Sequence, residues 1–171
     1  PALLQKNTDT AADYLPLTRA NLIRQAFKFL GERYGWGHAY DGRDCSGFVS
    51  DVYRSMGVQM PRNTSKQAIS PALAHRIFTD KDSRQERIAA AYALQTGDLV
   101  YIPGHVMMVL GQFNGQPYVI HDVGGMSYRK ADGSKARVKL NAVSVTPLLT
   151  LLFNDKQTFV DRMTSIVRIR D

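Results

Sequence analysis

The apolar periodicity of this chain changes at Gln95 to Asp98, and that change restricts the possible folds more than any other feature. Before this turn, apolar residues recur with the 3.6-residue period of helices. After it the pattern becomes extended, and five segments are predicted as strands: 99–102, 105–110, 116–122, 136–140 and 165–170. Helices followed by an antiparallel sheet of about five strands indicate an α+β fold.

Helix-capping residues mark where the helices of the first half begin. Thr18 is predicted to cap the first helix, and the second runs from about Cys45 to Met56. Asn63 is a candidate cap for one short helical turn, and a capping box at Ser83 begins a helix that continues through 88–94. A last short helix is predicted at 158–163.

Length and composition indicate one domain with one core. The chain has 171 residues and is 44% hydrophobic; we expect an extended lead-in over 1–17 and a single domain over 18–171. No apolar run is long enough to span a bilayer, and no leader is visible. Because the chain begins with Pro1, we interpret it as a piece of something longer. The net charge of +7 names no partner, since the basic residues are scattered and no nucleic-acid motif accompanies them.

Cys45, the only cysteine, lies where the second predicted helix begins. A helix N-terminus offers free N–H groups and a partial positive charge, which favour the nucleophilic thiolate. A lone cysteine is often only a small buried hydrophobe. Polar Asp44 and Ser46 on either side, and Gly47 next to them, argue for chemistry instead.

A nucleophilic cysteine needs a base and a group that orients the base. Of the four histidines, His75 is predicted to be a surface residue in a helical, Ala-rich stretch, and His38 lies in a loop before Cys45. His105 opens one predicted strand and His121 closes the next, so that a hairpin can bring them together.

The register of that hairpin decides whether the two histidines share a face of the sheet. A two-residue turn at Asn114-Gly115 would send His105 and His121 to opposite faces. A five-residue loop over 111–115 would make them direct cross-strand neighbours. A catalytic pair therefore requires the longer loop, or a bulge that restores the parity.

Six short motifs, in this order, resemble the NlpC-type cell-wall cysteine peptidases, a papain-like family that hydrolyses peptidoglycan stem peptides. They are Tyr34-Gly35-Trp36-Gly37, Asp44-Cys45-Ser46-Gly47-Phe48-Val49, Pro61-Arg62, Gly97-Asp98-Leu99, Gly104-His105-Val106 and Ile120-His121-Asp122. The resemblance covers roughly residues 18 to 170. It implies a papain-like fold in which N-terminal helices pack on the sheet and the nucleophile lies at a helix N-terminus.

The resemblance also implies a role for each matching residue. Cys45 would be the nucleophile, His105 the general base and His121 the group that orients it. Tyr34 would help to line the oxyanion site, and Asp44 and Ser46 would bind the free amine of the substrate's L-alanine. The alternative for Asp44 and Ser46 is simple capping of the second helix.

Trp36 and His38 are further candidates for the substrate groove. The family usually has a second glycine where His38 stands, so His38 can narrow the groove or add a polar contact. The resemblance implies peptidoglycan or free muropeptides as substrate, no cofactor or metal, and no nucleic acid. It places the protein in the cell envelope, periplasmic or secreted, with cytoplasmic recycling as an alternative. A cell-wall-binding domain often precedes this unit, and one can lie upstream of Pro1.

The expected reaction is hydrolysis of the γ-D-glutamyl–diamino acid bond through an acyl-enzyme. The same cysteine also fits an N-acetylmuramyl-L-alanine amidase or an acyltransferase. Two readings from other classes are a zinc site made by Cys45, His105 and His121, and an inactive wall-binding module.

Overall fold

The computed structural model describes residues 10–169, which form four α-helices and seven β-strands. The helices are α1 (Arg19–Lys28), α2 (Cys45–Arg54), α3 (Thr64–Gln67) and α4 (Arg84–Tyr92). The strands are β1 (Ala74–Ile77), β2 (Leu99–Ile102), β3 (His105–Phe113), β4 (Gln116–Arg129), β5 (Lys135–Pro147), β6 (Leu151–Leu152) and β7 (Ser165–Arg168). No helix among these residues is long and apolar enough to cross a membrane.

All strand pairs are antiparallel, and the strands follow the order β1-β7-β2-β3-β4-β5, with β6 paired to β4. The α+β class is confirmed, but the sheet has seven strands instead of about five. One additional strand is β1, which contains His75; the prediction that His75 lies in a helical stretch is therefore wrong. The Ala-rich helix begins only after the cap at Ser83.

The helix caps follow the sequence prediction closely. Thr18 and Asp44 accept hydrogen bonds from the first turns of α1 and α2, and Ser83 and Glu86 form the reciprocal capping box. Asn63 occupies the cap position of the single turn α3. The short helix predicted at 158–163 is a 3₁₀ turn over Val160–Arg162. The last strand ends at Arg168, and Arg170 lies outside the described residues.

Residues 10–17 of the predicted lead-in contain no helix or strand; residues 1–9 lie outside the described part. This segment nevertheless contacts the domain, because the Leu15 N–H donates to the carbonyl of Ser55 at 3.0 Å. Leu15 and Leu17 pack against the apolar residues beneath α2.

Alternating side chains divide the core between the two faces of the sheet. The face we call the helix face packs against α1 and α2 and includes Val106, Met108, Ile120 and Val143. The opposite face packs against α4 and the 3₁₀ turn, and includes Met107, Val109, Val119 and Phe159. Helix α2 is amphipathic and buries Phe48, Val49 and Val52 completely.

The hairpin between β3 and β4 combines a two-residue turn with a bulge. Its turn has two residues, Asn114 and Gly115, both with positive φ (49° and 69°), as a tight hairpin requires. A bulge between Val109 and Gly111 then shifts the register, so that Met108 pairs with Ile120. Gly111 has φ 142°, which glycine adopts readily. The five-residue loop does not form, and the bulge restores the parity.

Candidate active site

Cys45 is the first residue of α2, and its side chain is largely buried. Asp44 caps the helix, since its Oδ1 accepts the Gly47 N–H at 2.8 Å. Gly47 cannot carry a larger side chain without rearrangement, because an added Cβ would lie 2.7 Å from His38 Nε2. The thiol therefore lies at a capped helix end, where the loop that carries His38 comes close to the helix backbone.

The surroundings of Cys45 do not favour the thiolate at rest. Burial raises the pKa of the Cys45 thiol to about 11, and the negative charges of Asp44 and Asp122 act in the same direction. The backbone N–H groups of Val106 and Ser46 lower it only in part. The expectation that the helix N-terminus favours the thiolate is thus outweighed by burial, and the resting group is a thiol.

His105 and His121 are in direct contact. Their rings are joined by a hydrogen bond of 2.7 Å between His105 Nε2 and His121 Nδ1. His121 is fully buried, and its Nε2 lies 3.0 Å from the hydroxyl of Thr146 on β5. The three side chains therefore form a chain across strands β3, β4 and β5.

Burial keeps both imidazoles neutral near pH 7. It lowers the pKa of His105 to about 4. It also lowers the pKa of His121 well below its usual value, with a further contribution from the neighbouring His105. A neutral histidine can accept a proton, which a base must do.

Cys45 lies against the start of β3, where a hydrogen bond to His105 would join the nucleophile to its base. Within the described residues no such bond joins the thiol to the His105 ring; the sulfur lies instead against the N–H of Val106, the next residue. The His105 ring packs toward Phe159, with ring centroids 6.3 Å apart, on the face of the sheet opposite α2. His105 is the first residue of β3, and the N–H of the next residue, Val106, contacts the Cys45 sulfur, so the start of this strand lies beside the helix end that carries Cys45.

Tyr34 lines the cleft in front of Cys45. This cleft has a volume of about 410 Å³ and is lined by Tyr34, Trp36, Gly37, Asp44, Cys45, Ser46, Arg62, Asn63, Thr64 and Gly104. Burial raises the pKa of the Tyr34 hydroxyl, and the Cys45, Asp44 and Asp122 charges add to this. Tyr34 therefore keeps its proton and can donate a hydrogen bond into the cleft.

Asp44 and Ser46 are brought together, and Arg62 binds both. Arg62 donates to the two carboxylate oxygens of Asp44 at 2.8 and 3.1 Å and to Ser46 Oγ at 2.9 Å. The Gly37 N–H also donates to Asp44, at 3.2 Å. Burial alone would raise the pKa of Asp44, but the hydrogen bonds from Arg62, Gly47 and Ser46 hold it below its usual value.

Trp36 and His38 lie on the irregular turn Trp36–Asp41. Trp36 lines the cleft and is 79% exposed, so it offers an open aromatic surface. His38 adopts φ 67°, a left-handed conformation that glycine adopts most easily. A glycine in place of His38 would adopt this conformation without strain. In this conformation the His38 ring lies over Gly47.

Three residues at the site were not assigned a role from the sequence. Arg62 belongs to the Pro61-Arg62 motif, but its ion pair with Asp44 spans 18 residues of chain and has no local sign in the sequence. Thr146 lies on the part of β5 that was not predicted. Asp122 was quoted beside His121, but its burial depends on the packing of the helix face. No group of three or more His, Cys, Asp or Glu side chains in the described ranges is placed to hold a metal ion.

Comparison with known proteins identifies the family of this chain. The model of the NlpC/P60 family matches residues 31–144. The chain is 34% identical over 119 residues to a probable endopeptidase p60 of Listeria seeligeri, covering 66% of this chain and 19% of the relative. It is 31% identical over 126 residues to a gamma-D-glutamyl-L-lysine dipeptidyl-peptidase of Bacillus cereus, covering 66% of this chain and 33% of the relative.

The fold has solved counterparts as well. An NlpC/P60 endopeptidase from Photobacterium damselae subsp. piscicida superimposes with a TM-score of 0.66 at 17% identity, over 85% of this chain and 37% of that one. The chain thus spans only about a fifth to a third of the two curated relatives. Because the family model matches well over half of the 171 residues, this chain belongs to the NlpC/P60 family.

Proposed function

We propose that this chain is a cysteine endopeptidase that hydrolyses peptidoglycan stem peptides at the γ-D-glutamyl–diamino acid bond. The observation that carries the proposal is the 2.7 Å hydrogen bond between His105 and His121, at the start of the strand that the Cys45 sulfur contacts through the Val106 N–H. This hydrogen bond uses Nε2 of His105, and His105 Nδ1 makes no hydrogen bond in the described part of the chain. That nitrogen is therefore the one available to take a proton from the thiol.

The hydrogen-bond chain fixes the protonation of each ring when His105 acts as the base. If Nδ1 of His105 is to accept a proton, its Nε2 must carry one and donate it to His121 Nδ1. His121 then carries its own proton on Nε2 and donates to the Thr146 hydroxyl oxygen. Both hydrogen bonds are satisfied by one set of tautomers, and this supports His121 and Thr146 as the groups that orient His105.

The reaction begins when substrate brings the thiol and His105 within hydrogen-bond reach. His105 takes the proton of Cys45, and the sulfur attacks the γ-carbonyl carbon of D-glutamate while the carbonyl π electrons move to oxygen. Collapse of this intermediate breaks the carbon–nitrogen bond, and His105 gives its proton to the leaving amine. Water, deprotonated by His105, then releases the acyl group and restores the thiol.

Two donors are suited to the oxyanion. The backbone N–H of Cys45 belongs to the first turn of α2 and has no partner within the helix. The Tyr34 hydroxyl lines the same cleft and keeps its proton. Each such donor contributes about 3 kcal/mol to transition-state stabilisation.

Asp44 and Ser46 are proposed to bind the free amine of the substrate's L-alanine. Their oxygens already accept hydrogen bonds from Arg62, so an incoming ammonium group must share them or displace the guanidinium. Arg62 is half-exposed and lines the cleft, which allows it to move aside. The similarity to the gamma-D-glutamyl-L-lysine dipeptidyl-peptidase of Bacillus cereus supports this substrate class. Because this substrate class belongs to the cell wall, we propose that the protein acts in the cell envelope.

The experiment compares intact sacculi with free muropeptides, digested side by side and analysed by mass spectrometry. A new diamino-acid amine from either substrate supports the proposal, and the preferred substrate shows whether a free L-alanine amine is read. Release of intact stem peptides would replace the proposal with an amidase. A variant His75→Ala serves as the control, because His75 lies on the edge strand β1, away from the cleft.

A further inference from the structure

Asp122 directly follows His121 on β4 but points to the other face of the sheet. It pairs with Val143 of β5, and its neighbours on that face include Ile120, which packs in the same cluster as Cys45. The residue is 0% exposed. Asp122 takes no part in the proposed acyl transfer.

The carboxyl group of Asp122 is buried without a partner. Neither of its oxygens makes a hydrogen bond within the described residues. The Val123 N–H approaches closely enough to lower the pKa of Asp122, but not with the geometry of a hydrogen bond. A charged carboxylate in such a place is costly, whereas the neutral acid is tolerated.

The charged and titratable groups around Asp122 also favour the proton-bearing form. Five of them interact electrostatically with Asp122. They lie in the segment after α1 and at the start of α2: Glu32, Tyr34, Arg43, Asp44 and Cys45. Burial raises the pKa of Asp122 to about 7, with Glu32 and Asp44 adding to the shift and Arg43 opposing it. Arg43 cannot neutralise Asp122 fully, because its guanidinium binds Glu32 and Asp51.

Asp122 differs in this respect from Asp44, the other acid near the thiol. Asp44 is paired with Arg62 and stays ionised, so its effect on Cys45 is constant. Asp122 has no cation of its own, and an Asp122 negative charge raises the pKa of the Cys45 thiol. Of these two acids, Asp122 is the one whose charge changes near neutral pH.

We propose that Asp122 is a positioning residue that acts on Cys45 through its charge, allowing thiolate formation while it carries a proton and suppressing it once ionised. The proposal rests on the proposed role of Cys45 as the nucleophile. It predicts that the pKa of the Cys45 thiol is lower while Asp122 carries its proton than after Asp122 has ionised. It also explains why an unpartnered acid is kept beside the cleft, at a cost to stability.

The test measures alkylation of Cys45 by iodoacetamide, followed by intact-protein mass spectrometry at pH 6 and pH 8. Cys45 is the only cysteine, so the mass change reports this thiol alone. Asp122→Asn keeps the shape of the side chain but cannot ionise. We expect alkylation of this variant to be about five- to tenfold faster than wild type at pH 8 and within about twofold at pH 6, since an acid of pKa about 7 is mostly ionised at pH 8.

Asp155→Asn is the matched control, because Asp155 is exposed and pairs with Lys135 far along the chain. It should alkylate like wild type at both pH values. Equal rates for wild type and Asp122→Asn at pH 8 would overturn the proposal. The readout needs no substrate, so a failure of the peptidase assignment leaves it interpretable.

A second measurement does not depend on the variant folding. In wild-type protein labelled with ¹³C at the aspartate carboxyl groups, NMR should show one resonance that titrates near pH 7. If every aspartate carboxyl titrates below pH 5, Asp122 is ionised throughout and the proposal fails. Stem-peptide turnover then separates the two proposals. If turnover is absent but Asp122→Asn is still alkylated faster than wild type at pH 8, only the peptidase proposal is contradicted.

Discussion

Arg62 and Asp44 form a bidentate ion pair at the mouth of the cleft, with Nη2 2.8 Å from Oδ2 and Nη1 3.1 Å from Oδ1. The same guanidinium binds the hydroxyl of Ser46. The positive charge of Arg62 therefore opposes the Asp44 carboxylate, which raises the pKa of the neighbouring Cys45 thiol. It connects the loop after α2 to the first turn that holds Cys45.

Arg62→Ala should lower the reactivity of the Cys45 thiol. Without the guanidinium, the Asp44 charge acts on the thiol uncompensated, so we expect alkylation by iodoacetamide to slow several-fold and kcat/KM to fall about tenfold. The cost in unfolding free energy should stay below about 1 kcal/mol, because Arg62 is half-exposed. Arg54→Ala, which breaks an exposed pair with Asp51, is the control. An unchanged alkylation rate would show that Arg62 does not shield Cys45.

Thr146→Val should misorient the histidine pair. The change removes the acceptor for His121 Nε2 at nearly constant volume and leaves a buried N–H unsatisfied. We expect kcat/KM to fall about tenfold and stability to fall by about 1–3 kcal/mol. Thr146→Ser, which keeps the hydroxyl, should recover kcat; if Ser behaves like Val, the effect is packing and not the hydrogen bond.

The acid limb of the pH profile should lie unusually low. Burial lowers the pKa of His105 to about 4, so the imidazole is a competent base at pH values where an exposed histidine is already protonated. We expect kcat/KM to remain high down to about pH 5 and to fall below it. Initial rates on a stem peptide between pH 4 and pH 7 measure this. A midpoint near 6.5 would mean that His105 is solvated.

Asp122 should make the protein less stable as the pH rises. An aspartate whose native pKa is raised keeps its proton while the unfolded chain releases it. Asp122 therefore does not reduce the free energy of unfolding below about pH 4. Between about pH 4 and pH 7 it reduces it progressively, and above pH 7 the reduction stays level at about 4 kcal/mol in total. Asp122→Asn lacks this decline, so its stability relative to wild type should improve by about 2–3 kcal/mol between pH 5 and pH 7. Denaturant unfolding at both pH values measures it, and a constant difference would contradict the assignment.

Local signals in the sequence predicted much of the fold. Thr18, Asp44 and Ser83 cap the helices as expected because a cap needs only its own first turn. The strand starts at Leu99 and His105 were also found. The bulge after Val109 was left open, since Gly111 permits it without requiring it.

The rest depends on contacts between distant parts of the chain. Strands β4 and β5 continue past their predicted ends because each pairs with the other, although Gly124 and Gly125 interrupt the apolar pattern. Strand β1 forms only because β7 offers it an edge. The His121–Thr146 bond spans 25 residues, and the sequence gives no local sign of it. The same holds for the burial of Asp122.

The most direct test of the account is turnover of a γ-D-glutamyl–diamino acid stem peptide by Cys45→Ala. The deletion of one sulfur in the first turn of α2 should leave the fold intact, as circular dichroism and the unfolding midpoint will show. We expect no detectable release of the diamino-acid amine while the His75→Ala control cleaves like wild type. A folded Cys45→Ala protein that still cleaves the peptide would contradict the central claim.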